Sequence, residues 1–136
     1  MPPPLYIIDT HALIWYLTDD KRVGKLTSRI LDDSGTRLLI PSIVLAEALF
    51  ILERKSELYP LSEATLLHEI EQDPRMKVVA LDWDVLVKTL ECNAILEMHD
   101  RQIVATAMLA QKAGFDIAVL TRDGNITHSR LVPVVW

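Results

Sequence analysis

The sequence predicts an α/β protein, a three-layer α/β/α sandwich around a mostly parallel central sheet of about five strands. Three observations predict it. Short, mainly apolar runs at Leu5–Ile8, Arg37–Ile40, Met76–Leu81, Ile117–Leu120 and Leu131–Val135 are closed by polar or turn residues, as buried parallel strands are. Segments with apolar residues at helical spacing separate these runs, which is the alternation of βαβ units. The chain has 136 residues, half of them apolar, and one cysteine, Cys92, enough for one core without disulfide staples. It is therefore read as a single domain over residues 1–136.

The elements follow in order. Leu5–Ile8 ends at Asp9-Thr10, and a helix runs from about His11 to Leu17. A charged loop, Thr18 to Arg22, precedes a helix marked by Leu26, Ile30 and Leu31 that extends through Asp33 and is stopped by Ser34-Gly35. After Arg37–Ile40, Pro41-Ser42 punctuates the chain, and Ser42 is a credible N-cap for a long helix to about Ser56. Leu61–Gln72 is an amphipathic helix stopped by Asp73-Pro74. Met76–Leu81 is followed by Asp82, which is expected to cap a helix to about Asn93. His99 or Asp100 opens a helix through Ala113, where Gly114 supplies the stop. Ile117–Leu120 and Leu131–Val135 complete the sheet.

Composition removes several classes. Fourteen Lys and Arg against nineteen Asp and Glu leave a net charge of −5, which argues against a binder that neutralises phosphates with its own cations. The first residues lack a basic region, and Asp9 interrupts their apolar stretch, so they do not read as a secretory signal. The strongly apolar stretch Ile43–Leu52 contains Glu47 and falls well short of the ~20 residues of a spanning helix. No membrane association is expected. A lone cysteine suits a reducing cytoplasm.

Four carboxylates stand out. Asp9 and Asp123 lie at or just beyond the ends of the first and fourth predicted strands, the edge where parallel sheets bind ligands. Taken singly, Asp9 is also a plausible helix cap and Asp123-Gly124 a tight turn. Glu47 is the one acid inside the apolar stretch IVLAEALFIL, a helix that must be largely buried if every side is apolar. An ion pair to Arg101 or Arg122 is the competing account of this residue. Asp100 starts a helix, where an acid complements the dipole. Four such acids meeting at one edge would repel strongly, and a divalent cation relieves that repulsion. All-oxygen donors suit Mg²⁺ or Mn²⁺, one or two ions, better than zinc.

The segments YIIDTHALIWYL, PSIVLAEALFIL, HDRQIVATAMLA and LTRDGNI, in this order and spacing, resemble the four signature segments of PIN-domain ribonucleases, especially VapC-type toxins of toxin–antitoxin pairs. The resemblance spans essentially the whole chain. It implies that Asp9, Glu47 and Asp100 correspond to the three core acids, Asp123 to a more variable fourth, and Thr10 to the hydroxyl after the first. It also implies a parallel sheet, Mg²⁺- or Mn²⁺-dependent endonuclease activity on RNA, homodimers and inhibition by a cognate antitoxin. The loop before Asp100 departs from the family: Glu97, Met98 and His99 replace a frequent Pro-Phe pair.

Roles for the neighbours follow as expectations. Arg101 and Arg122 flank two of the acids and are candidates for RNA phosphate contacts, or for salt bridges that fix the acids. The histidines His11, His68, His99 and His128 show no ligand spacing and are read as structural or solvent-exposed. Trp15, Trp83 and Trp136 lie far apart in sequence with no basic residues interleaved, so core or interface positions are expected rather than base stacking. A phosphoacceptor receiver domain is the rival enzyme-like reading, but the first strand carries one acid rather than a pair and no Lys follows the last. A PIN-like binding module without catalysis is the other.

Overall fold

The computed structural model describes residues 5–136. Five parallel strands form the sheet: β1 (Leu5–Ile8), β2 (Arg37–Pro41), β3 (Met76–Val79), β4 (Ile117–Leu120) and β5 (Val134–Val135), in spatial order β3-β2-β1-β4-β5. Seven helices connect them: α1 (Thr10–Leu17), α2 (Lys25–Asp32), α3 (Ser42–Arg54), α4 (Glu63–Gln72), α5 (Trp83–Lys88), α6 (Met98–Lys112) and α7 (Gly124–Ser129). The result is the three-layer α/β/α arrangement that the alternation predicts.

Side chains of β1, β2 and β4 carry the core. Ile7, Ile8, Ile40, Val119 and Leu120 are fully buried, consistent with central parallel strands covered on both faces. Val44, Ala48 and Leu52 form one buried stripe on α3, and α3 packs against α1 and α6. Because β2 and β4 flank β1 on opposite sides, the winding of the chain reverses at β1. A crevice opens at such a switch point, outside the carboxyl ends of the strands.

Several element boundaries differ from the sequence expectation. Ser42 is the first residue of α3 rather than its cap, and its hydroxyl instead accepts from the Leu81 N–H at 3.0 Å. Ser62 caps α4, so Leu61 lies outside that helix. Strand β3 stops at Val79 and forms the sheet edge, with exposed Lys77 and Val78, so a β-branched run here does not mean burial on both faces. Helix α5 ends at Lys88, and a 3₁₀ turn, Thr89–Glu91, replaces its expected continuation to Asn93. Helix α6 starts one or two residues earlier, at Met98, and β5 shrinks to two residues. Helix α7 was not expected at all: Asp123-Gly124 starts a helix where a tight turn was one reading.

Helix α3 is also less buried than its composition implies. Phe50 is 55% exposed, so an all-round apolar sequence here covers a core stripe on one side and an uncovered surface on the other. Among the described residues no helix is long and apolar enough to cross a membrane.

One contact ties the layers together far from the crevice. Arg75, just before β3, holds Asp73 through paired bonds of 3.1 and 2.9 Å and donates to the carbonyls of Leu31 and Asp33 at the end of α2. The guanidinium holds the Asp73 carboxyl below its ordinary value. Arg75→Ala strands these carbonyls, and a loss of ~1–3 kcal/mol in unfolding free energy is expected, read as a lower urea midpoint at unchanged slope.

Candidate active site

The carboxyl ends of β1 and β4 begin the site. Ile8 pairs with Leu120 in the parallel register, so the next residues, Asp9 and Thr121, emerge side by side. The fully buried Thr121 donates its hydroxyl proton to Asp9 Oδ2 and accepts from the Asp123 N–H at 3.0 Å. One hydroxyl thereby fixes two acids. Asp9 also caps α1, its Oδ1 accepting from the Ala12 N–H at 2.9 Å. Asp123 caps α7, accepting from the N–H groups of Asn125 at 2.7 Å and Ile126 at 3.3 Å.

Glu47 arrives from α3 and Asp100 from the first turn of α6. The buried Thr10 hydroxyl donates to Glu47 Oε1. On the other side, His99 Nδ1 stands 3.3 Å from Glu47 Oε2 and 3.7 Å from Glu97 Oε1. Asp9, Glu47, Asp100 and Asp123 thus line a single cleft together with Thr10, His11 and His99. No Lys or Arg lines it.

Hydrogen bonding distinguishes the four acids. Asp9, Glu47 and Asp123 each accept at least one bond, whereas the Asp100 carboxylate accepts none from the described residues. Burial, and then the charges of Asp123, Glu97, Asp9 and Glu47, push the Asp100 carboxyl up to about 7. Burial also raises Asp9, against the opposing effect of its bonds from Thr121 and Ala12. The cluster lacks compensating positive charge, and the protonation of Asp100 near neutrality is the consequence.

This donor set fits a hard divalent cation. Carboxylate oxygens from four segments face one cleft, and each bonded oxygen retains a lone pair for a further partner. As they stand, no three His, Cys, Asp or Glu side chains among the described residues are gathered tightly enough to hold an ion. The Thr10 and Thr121 hydroxyls each donate to one oxygen, of Glu47 and of Asp9 respectively.

The comparisons with known proteins decide the family. The family model described as PIN domain matches residues 6–130. The chain belongs to the PIN-domain family. Solved structures share the PIN fold at low identity. A toxin–antitoxin complex from Klebsiella pneumoniae matches at 18% identity and TM-score 0.68, covering 96% of each chain. VapBC2 from Rickettsia felis, bound to a DNA fragment from the promoter, matches at 14% and 0.66, covering 96% of this chain and 97% of that one. VapC20 of Mycobacterium tuberculosis, a toxin that cleaves the sarcin-ricin loop, matches at 16% and 0.59, covering 94% and 96%. No curated protein matches.

Within this PIN domain, sequence reasoning assigned no site role to three residues, Thr121, His99 and Glu97, and Arg101 lies elsewhere. Thr121 had no motif to announce it; only the β1–β4 register makes it Asp9's neighbour. His99 and Glu97 occupy the cleft through the way α6 begins. Arg101 does not face the acids, because its guanidinium donates to the carbonyls of Ile95 and Asn93. Nor does either arginine bridge to Glu47. Trp15 is buried in the core and Trp136 packs against it with ring centroids 6.0 Å apart, as expected, but Arg22 and Arg122 lie over the Trp15 ring, and Trp83 is 76% exposed and outside the core.

A raised carboxyl has a definite stability signature. The folded protein binds a proton at Asp100 more tightly than the unfolded chain does. Its stability without divalent ions therefore falls as pH rises from about 4 to about 7. Asp100→Asn removes this loss. At pH 8 in EDTA the variant is expected to be more stable than the parent by about 1–2 kcal/mol, allowing for solvent screening of a partly exposed group, with the advantage vanishing near pH 4 in thermal melts.

Proposed function

We propose that this chain is a divalent-metal-dependent endoribonuclease, the toxin of a toxin–antitoxin pair, built as one PIN domain over residues 1–136. The convergence of Asp9, Glu47, Asp100 and Asp123 from four distant segments into one cleft carries the reading. Family membership supports it, and so does the number of structural neighbours that are VapBC or other toxin–antitoxin complexes. A receiver-like phosphoacceptor gains no support, since no lysine lines the cleft.

In this proposal Asp9, Asp100, Glu47 and Asp123 hold one or two Mg²⁺ or Mn²⁺ ions. A bound ion supplies Lewis acidity and positive charge against the scissile phosphate. Thr121 and the Ala12 N–H keep Asp9 fixed at the centre of the cleft. Thr10 holds Glu47 in place through its hydroxyl, and it can turn that proton toward a phosphate oxygen when Glu47 reorients. Asp100 or Glu47 orients the attacking water and takes its proton. Arg122 contacts a substrate phosphate; Arg101, committed to carbonyls, shapes the start of α6 instead.

The partners are an RNA strand, a cognate antitoxin and a second copy of the chain. Exposed apolar residues on α3 and α5, with Phe50 at 55% and Trp83 at 76% exposure, favour protein partners of this kind. The single buried Cys92 suits a cytoplasmic setting.

Asp9→Asn is expected to lower Mn²⁺-dependent cleavage of RNA by about 10²-fold or more with unchanged circular dichroism, and EDTA is expected to stop the parent enzyme. Undiminished cleavage by the variant, or by the parent in EDTA, overturns the reading.

A further inference from the structure

Beside the acid cleft lies a second hollow with different chemistry. It has a volume of about 300 Å³ and is lined by Asp9, His11, Trp15, Arg122, Asp123 and Trp136. The two hollows share Asp9, His11 and Asp123, so whatever occupies the second lies directly alongside the acids. The second hollow keeps two of the carboxylates, Asp9 and Asp123, and adds a cation and two indole rings.

Arg122 is the available cation. Its guanidinium carbon sits 4.5 Å from the centroid of the Trp15 ring, which holds it in place by cation–π attraction. Arg22 lies over the same ring at 4.6 Å, but Asp20 neutralises it with paired bonds of 3.0 and 2.8 Å. Among the described residues Arg122 makes no ion pair and donates no hydrogen bond. It is an exposed arginine positioned by an aromatic ring, with no carboxylate in ion-pair contact; Asp20 is near enough to feel its charge, and Asp9 and Asp123 line the same hollow.

Trp136 supplies an aromatic surface. It is partly exposed, and its contact with Trp15 is edge-like at 68° rather than stacked. Gly24 seats it: a Cβ at that position would run into the Trp136 main chain and come within 2.8 Å of its Cδ1. The lining also contains an unsatisfied donor, since Trp15 is 5% exposed and its buried Nε1–H has no acceptor.

We infer that this hollow is a nucleotide subsite, taking an unpaired nucleotide of the RNA next to the scissile bond, its phosphate on Arg122 and its base against Trp136. The inference rests on the ribonuclease reading and adds to it the residues that grip the strand. An anionic phosphate and a flat base are the two features that an unpaired arginine and an unstacked indole recognise together. A base-paired duplex offers no free base face to Trp136.

The test is binding of a fluorescent, random-sequence pool of short single-stranded oligoribonucleotides, by anisotropy in Mn²⁺, to proteins carrying Asp9→Asn so that the strand stays intact. Adding Arg122→Gln, or separately Trp136→Ala, is expected to weaken binding about tenfold, while Trp136→Phe, which keeps a ring, retains most of it. With Asp9 intact, the rise in melting temperature with Mn²⁺ is expected to persist in a protein carrying Arg122→Gln alone. Binding unchanged by both Arg122→Gln and Trp136→Ala overturns the subsite but leaves the nuclease reading standing if the parent cleaves the pool. A parent that neither binds nor cleaves any member of the pool overturns both.

Discussion

The parallel pairing of β1 with β4 is the constraint on which the site depends. Because Ile8 lies opposite Leu120, the two strands deliver Asp9 and Thr121 to the same point, and Thr121 passes the alignment on to Asp123. Helices α3 and α6, packed against each other, bring Glu47 and Asp100 to the opposite wall. Four carboxylates in a partly buried cleft repel one another. The protein offsets this with neutral donors, the Thr10 and Thr121 hydroxyls and the N–H groups opening α1 and α7. Asp100 is left without one, and it is the acid whose carboxyl rises to about 7. Such an arrangement favours an occupant with concentrated positive charge.

This changes the meaning of the acidic net charge. Much of it belongs to the cleft, and the rest of the chain is nearly neutral. A negative protein is a poor general binder of nucleic acid, yet in the proposed nuclease divalent ions held by the cluster would bring positive charge to the place where a phosphate would approach. The aromatic hollow next to it, with Arg122 over Trp15, adds a fixed cation at the edge of the acids.

The strands and the four acids were legible in the sequence because their signals are local. Apolar runs closed by Asp9, Pro41 or Thr121 mark the strands, and an acid inside IVLAEALFIL cannot be explained by solvation alone. What stayed hidden depends on register and packing. Thr121 is one of many threonines until β1 and β4 pair. Trp15 and Trp136 are distant in sequence and become neighbours only because Trp136, just after β5, packs against Gly24 at the start of α2. The exposed side of α3 was read as core for a related reason: apolar composition is the same whether a face meets the protein's own interior or a partner.

Asp9, Glu47, Asp100 and Asp123 form one electrostatic unit centred on Asp100. Carbon-13 NMR titration of the Asp100 carboxyl in the protein free of divalent ions tests it most directly. A midpoint near 7, the value set by burial and the surrounding acids, is expected, moving down when Asp9→Asn removes one neighbouring charge. A midpoint near 4, unmoved by Asp9→Asn, would show that the carboxylates do not share a site and would contradict it.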